Sequence, residues 1–394
     1  MSNTQKKNVP ELRFPEFEGE WEEKKLGDTL EFIKDGTHGT HENVNNGPWL
    51  LSAKNIKNNK IVISSDDRKI SESDYKKIYK NYKLEKGDLL LTIVGTIGRA
   101  AIVKNPNNIA FQRSVAILKT KATYDVEFIF QLFQTKYFKN LLLRKQVVSA
   151  QPGLYLGDIR KIKISITNII EEQRKIGTFF RKIDRQIELE EQKLELLQQQ
   201  KKGYMQKIFS QELRFKDENG NDYPEWEETT IKEIAQINTG KKDTKDAITN
   251  GNYDFYVRSP IVYKINTFSY EGEAILTVGD GVGVGKVFHY VNGKFDYHQR
   301  VYKISDFKNY YGLLLFYYFS QNFLKETKKY SAKTSVDSVR KDMIANMKVP
   351  RPIYIEQKKI GQFIKRVDNK TKIQKQVIEL LKQRKKALLQ KMFI

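Results

Sequence analysis

Two long stretches of the chain share a 4-3 spacing of apolar residues, the pattern of a helix with one buried stripe. The first ladder runs Ile176, Phe180, Ile183, Ile187, Glu190, Leu194, Leu197, Lys201, Tyr204 and Ile208. The second runs Ile360, Ile364, Val367, Thr371, Gln374, Ile378, Leu381, Lys385, Leu388 and Met392. Both are interrupted at the same two rungs, Glu190/Gln374 and Lys201/Lys385. Polar residues on a seam cost stability but fix register and partner. Aligned without gaps, 172–209 and 356–393 share 17 of 38 residues, including Gly177/Gly361 and Asp184/Asp368. The pattern predicts two long helices, 171–209 and 354–394, whose seams pack on each other.

The segments before each helix, 1–170 and 210–353, read differently. Short strand-like runs recur: "PWLLSA" (48–53), "KIVISS" (60–65), "LLLTIV" (89–94) and "AFQRSVAILK" (110–119). An aromatic-rich run, 126–143, predicts one helix, mirrored at 310–326. Strand and helix signals are mixed rather than alternating, which points to an α+β fold with a curved mixed sheet. These segments repeat each other more faintly. "ELRF" recurs at 11–14 and 212–215, "EWEE" at 20–23 and 225–228, and "KGDLLLTIVG" (86–95) answers "EGEAILTVGD" (271–280). The chain is thus a tandem duplication of globular domain and long helix. The helices stayed alike while the domains diverged, as expected of a shared scaffold carrying two different targets.

Charge narrows the class. The chain of 394 residues carries a formal net charge of +22, with a pI near 9.6. Such a balance favours a polyanionic partner, nucleic acid first. With no cysteine, disulfides and thiolate metal sites are excluded. The start has no secretory signal character, and the longest apolar run, 310–319, is too short to span a bilayer. The expectation is a soluble, cytoplasmic protein. The second helix is the more basic, with 12 Lys/Arg against 3 Asp/Glu in 355–394 and 9 against 7 in 171–209.

Polar, glycine-rich connections carry the candidate chemistry. "KDGTHGTHENVNNG" (34–47) supplies Thr37, His38, Thr40 and His41, and the stretch after the first strand supplies Lys54 and Asn55. "VGTIGR" (94–99) supplies Thr96 and Arg99; "GDGVGVGK" (279–286) supplies Lys286. Glycines let backbone approach a ligand closely, and a terminal cation suits a phosphate; a tight β-turn would use the same residues. Gln112-Arg113 and Gln299-Arg300 match bidentate base chemistry, Arg to guanine and Gln to adenine, or a strand-edge pair bonded to backbone. Gln151, Tyr155, Lys333 and Thr334 lie in two further corresponding loops, and Lys241, Lys242 and Arg258 complete the set. Catalytic motifs fail. "GDGVGVGKV" lacks the first Gly and the Ser/Thr of a P-loop, no two prolines adjoin, no Pro-Asp occurs, and four His without Cys make no zinc set. No metal site and no catalytic set is expected.

The repeated "EQ(R/K)KIGxFxxxxD…ELL…QxKK" phrase, the opening "ELRFPEFEGEWEEKKLGD" and the stretch "VRKDMIANMKVPRPIYIEQKKI" (339–360) resemble the specificity subunits of Type I restriction–modification enzymes. The resemblance covers nearly the whole chain; "SITN" (165–168) replaces the Pro-rich "VPRP" before the first helix. It implies two tandem α+β target-recognition domains on two long antiparallel coiled-coil helices with pseudo-twofold symmetry. Each domain would read one half of a bipartite, asymmetric double-stranded DNA target. The helices would set the gap and dock two methyltransferase subunits, to which motor-nuclease (restriction) subunits add. S-adenosylmethionine, ATP and magnesium would belong to those partners and none to this chain. The competing reading is a coiled-coil assembly scaffold with non-specific nucleic-acid binding.

Overall fold

The computed structural model describes residues 8–146, 153–330 and 338–394. By contact the chain divides into two compact units, Met1–Gln192 with Gln376–Ile394, and Lys193–Lys375.

The first unit opens with β1 (Glu22–Lys25), β2 (Leu30–Asp35), β3 (Trp49–Leu51), β4 (Ile56–Lys57), β5 (Lys60–Ile61) and α1 (Glu72–Ile78). It continues through β6 (Leu89–Thr92), β7 (Ala100–Ile102), β8 (Ile109–Phe111), β9 (Val115–Thr120), α2 (Val126–Gln134), α3 (Lys136–Lys145), α4 (Leu156–Arg160) and β10 (Lys163–Ile166). The long helix α5 (Ile170–Phe209) follows and runs on into the second unit. Four strands form an antiparallel sheet in the order β2-β9-β6-β7, while β3 and β8 pair in parallel. The run Leu89–Leu91 is continuously apolar because both faces of the strand are covered. Leu89 and Leu91 pack with α2 and α5, whereas Leu90 faces Leu51, Phe111 and Ile117 on the other side.

Three sequence expectations change here. The run 110–119 is not one strand: it turns at Gln112–Ser114, because β8 pairs with β3 and β9 pairs with β2 and β6. The predicted helix 126–143 breaks at Thr135, whose backbone is extended and whose hydroxyl accepts the Phe138 N–H to cap α3. "KIVISS" contributes only Lys60–Ile61, in a hairpin turned by Asn58 and Asn59 at positive φ.

The second unit contains β11 (Glu227–Thr230), α6 (Ile231–Ile234), β12 (Gln236–Thr239), β13 (Tyr253–Tyr256), β14 (Val262–Ile265), β15 (Tyr270–Val278), β16 (Phe288–Tyr297) and β17 (Val301–Ser305). Then come α7 (Gly312–Lys328), α8 (Lys341–Ala345), β18 (Lys348–Arg351) and α9 (Tyr354–Met392), whose last turns belong to the first unit. Its sheet, β12-β17-β15-β16-β13-β14, is mixed through the parallel β13–β16 pair. In each unit a short antiparallel pair ties the opening segment to the strand before a long helix: β1–β10 in one, β11–β18 in the other.

The repeated helical phrase has a structural account residue by residue. Glu172 is fully buried and takes Arg13 of the first "ELRF" at 2.7 Å through both Nε and Nη2; Glu356 takes Arg214 of the second at 3.1 Å. Gln173 accepts from the N–H of Asp125, the residue that caps α2, and donates to the Thr167 carbonyl; Gln357 does the same between Tyr311 and Pro352. Gly177 is where α2 crosses: a Cβ there would lie 2.5 Å from Asp125 Oδ1 and 2.9 Å from the Phe128 N. Asp184 joins three helices, accepting from Gln131 at 2.9 Å and from Lys385 at 2.6 Å. Asp368 does so with Tyr317 at 2.8 Å and Lys201 at 2.5 Å. The polar rung Lys201/Lys385 therefore meets the repeated aspartate of the other copy. Since Lys385 sits near the end of one helix and Asp184 near the start of the other, the helices run antiparallel within each unit.

Of the expected seam, Ile176, Phe180, Ile187, Ile360, Ile364 and Ile378 are buried. Ile183, Leu194, Leu197, Val367, Leu381 and Leu388 are half-buried. The ladder slips at its ends: Tyr204 turns outward while Met205 is buried, and Leu389 is more buried than Leu388. A straight helix drifts about 20° per heptad from a 3.5-residue repeat, so one flank rotates inward. Among the described residues no helix is long and apolar enough to cross a membrane.

Candidate nucleic-acid interface

In each unit the fold gathers the polar loops at one place. After β2 the chain crosses the 112–114 turn so closely that a Cβ on Gly36 would lie 2.1 Å from the Phe111 carbonyl oxygen. Thr37 then pairs in parallel with Gln112, and Arg113 N donates to the Thr37 carbonyl at 3.1 Å. The loop after β6 joins from the other side: Ile93 N donates to Ser114 O, and Leu154 N to Ile93 O. The second unit repeats this frame with other side chains. A Cβ on Gly240 would lie 1.9 Å from Tyr297 O, Lys242 pairs with His298, and Gln299 N donates to Lys242 O at 2.8 Å. Gly279 N donates to Arg300 O and Val339 N to Gly279 O, at 2.8 and 2.7 Å.

The sequence candidates divide on this frame. Thr40, Thr96, Arg113 and Tyr155 are exposed on the first cluster, with Thr37 and Gln112 half-buried at its base. His38 is exposed beside Asp35. Arg99 is exposed but donates to the Ile56 carbonyl at 3.3 Å, so its fork is partly committed to the fold. On the second cluster Lys241, Lys286, Gln299 and Arg300 are exposed and Lys242 is half-buried. Arg258 and Arg300 both lean on Asp280, at 3.3 and 3.7 Å, and Gln299 donates to Asp243 at 3.1 Å. Gln112-Arg113 and Gln299-Arg300 lead from β8 and β16 into the turns before β9 and β17, and Gln112 also bridges Thr37.

Three candidates serve the fold instead. Asn55 is buried, with its amide bonded to Ser52 N, Val62 O and Asp67. Lys54 is exposed yet paired at 2.7 Å with the buried Asp67, whose carboxyl this contact helps hold low against the opposing effect of burial. His41 is buried against Thr37 at 2.9 Å and Asp74 at 3.4 Å, where it braces the loop. Gln151, Lys333 and Thr334 lie outside the described residues.

Sequence reasoning passed over His298, which is 3% exposed beneath the second turn. Its Nδ1 accepts the Arg300 N–H at 2.9 Å, and burial followed by the nearby Arg258 lowers its pKa. The neutral ring thus shapes the turn that presents Gln299 and Arg300. Its place in "YHQR" was visible; its burial was not. Among the described residues no group of three or more His, Asp or Glu is arranged to hold a metal ion. Clustered cations with hydrogen-bonding tips suit an anionic polymer whose edges are read.

The family model of the Type I restriction modification DNA specificity domain matches residues 18–199 and 223–383. The chain belongs to that family. A specificity subunit named for the MjaVIII Type I restriction enzyme of Methanocaldococcus jannaschii is 26% identical over 220 residues, 54% of this chain and 51% of that protein. The match to the Escherichia coli EcoDI specificity subunit, 25% identical, covers 42% of this chain and 37% of that protein. The chain thus spans about half or less of these two relatives. The putative MjaX specificity subunit of the same archaeon is 22% identical over 97% of this chain and 95% of its own. Among solved structures, the Type I restriction–modification S subunit from M. genitalium superposes with a TM-score of 0.66 at 15% identity, over 98% of this chain and 99% of that one. At that identity the likeness shows the fold, and the α+β tandem with its long helices is the family's.

Proposed function

We propose that the chain is the sequence-reading subunit of a Type I restriction–modification complex, with each unit reading one half of a bipartite, non-palindromic DNA target. One observation carries the reading: the loop frame is repeated, whereas its tips are not. Gly36 and Gly240 make the same crossing, yet Thr37-His38 stand beyond one and Lys241-Lys242 beyond the other. Repetition of the frame supports a shared task, and divergence of the tips supports two different half-sites. Exposed cations such as Arg113, Lys241 and Lys286 would neutralise phosphates and give salt-dependent affinity, while Gln112, Gln299 and Arg300 would meet base edges.

The two helices act in this proposal as the spacer that sets the gap between halves and as the docking surface for two methyltransferase subunits. Restriction subunits join through those partners, which bring S-adenosylmethionine, ATP and magnesium; the chain itself catalyses nothing. The test is methylation mapping in cells with and without the gene. A bipartite, asymmetric adenine-methylation motif is expected to vanish with the gene, and persistence of every motif refutes the proposal. Exchange of residues 1–150 for a relative's domain is expected to change one half only.

A further inference from the structure

The loop "GDGVGVGK" (279–286) holds a side chain that the scaffold does not use. Its glycines alternate with Asp280, Val282 and Val284. Val284 is buried in the unit's core, whereas Val282 is 95% exposed, the most exposed of the large apolar residues among those described. The loop is tied down. Val284 N donates to Gly281 O at 3.1 Å, Val287 N to Gly283 O at 3.0 Å, and Gly281 and Gly285 take positive φ. A β-branched side chain held in water on an ordered loop gains nothing for the fold by burial. The first unit offers a parallel: Tyr155, 66% exposed, is second in exposure and also stands on a recognition loop.

The surroundings say what Val282 meets. Asp280 at the base of the loop holds Arg258 and Arg300, and Lys286 stands exposed at its end. An apolar tip among cations suits a surface that is anionic around one small apolar feature. On DNA base edges that feature is the C5-methyl of thymine in the major groove. We propose that Val282 reads one thymine methyl in the half-site bound by the second unit; the inference rests on the DNA-reading function above.

The methyl alone can be removed by replacing thymidine with deoxyuridine. Wild-type and Val282→Ser chains are assembled in the native complex, and the methylated motif of the wild type is mapped. Domain exchange identifies the half read by the second unit. Duplexes carrying deoxyuridine at each thymine of that half are then titrated against both complexes. One substitution is expected to weaken the wild type about fourfold, the effect of losing one buried methyl, while the Val282→Ser complex is indifferent there. Equal responses of both complexes at every thymine, or a half-site without thymine, overturn the inference. If no motif depends on the chain, the DNA-reading function itself falls, a result distinct from either. Val282 supports nothing around it, so an unchanged melting temperature of the variant is expected.

Discussion

Replacing Glu172 by Gln probes the device that fastens the first domain to its helix. The carboxylate is fully buried and holds Arg13 at 2.7 Å through both Nε and Nη2. Removing one partner of a buried pair costs about 3–5 kcal/mol, because the other charge stays buried and unpaired. Arg13 is 14% exposed by side chain and keeps the Glu18 carbonyl at 3.0 Å, so the lower end applies. Glutamine also preserves the volume and one acceptor. The expected loss is about 2 kcal/mol for Glu172→Gln and about 3 kcal/mol for Glu172→Ala. Urea unfolding measures the sum, and hydrogen exchange of peptides covering 11–21 and 170–180 locates it. Arg13→Met with Glu172→Met is expected to recover most of the loss, as apolar replacements of buried pairs do. A Glu172→Gln effect below about 0.5 kcal/mol, the scale of an exposed ion pair, refutes the account of the clamp.

Two glycines on one helix should respond in opposite senses. A Cβ on Gly203 meets nothing within 4 Å and its counterpart is Ala387, so Gly203→Ala is expected to stabilise by about 1 kcal/mol. Gly177→Ala puts a Cβ 2.5 Å from Asp125 Oδ1 and is expected to destabilise by about 1–3 kcal/mol despite its better helix propensity; thermal melts that move both the same way refute this. Lys60 and then Arg185 hold the Glu188 carboxyl down to about 2 from its ordinary 4.5. A depressed folded pKa contributes stability above 4.5 that is lost as pH falls through about 2, so exchange in the β4–β5 hairpin should quicken over that window. The pair is partly exposed and the effect about 0.5 kcal/mol; a Glu188→Gln chain showing the same pH response removes Glu188 as its cause.

Much of the architecture was legible in the sequence because helical periodicity is a local signal. Seventeen identities in the long helices and the echoes of "ELRF" and "EWEE" disclosed the duplication, and the mixture of strand and helix runs disclosed the α+β class. What the phrase does was not legible, since each of its residues answers to a distant partner: Glu172 to Arg13, Gln173 to Asp125, Asp184 to Lys385. Strand limits failed for the same reason. Nothing in "AFQRSVAILK" says that its first residues pair with Trp49–Leu51 and its last with Leu89–Thr92. At the interface, residue type alone could not separate Asn55, turned inward, from Arg113, turned out.

By itself, then, the sequence determined the periodic and compositional facts: two like helices, two unlike domains, an excess of positive charge and candidate loops rich in glycine. The tertiary structure decided which loops meet, which candidates face solvent, and that Val282 stands out while Val284 turns in. The physical reason is range. A hydrophobic period is fixed by neighbours three or four residues away, whereas burial and pairing are settled by strands and helices that arrive from a hundred residues off.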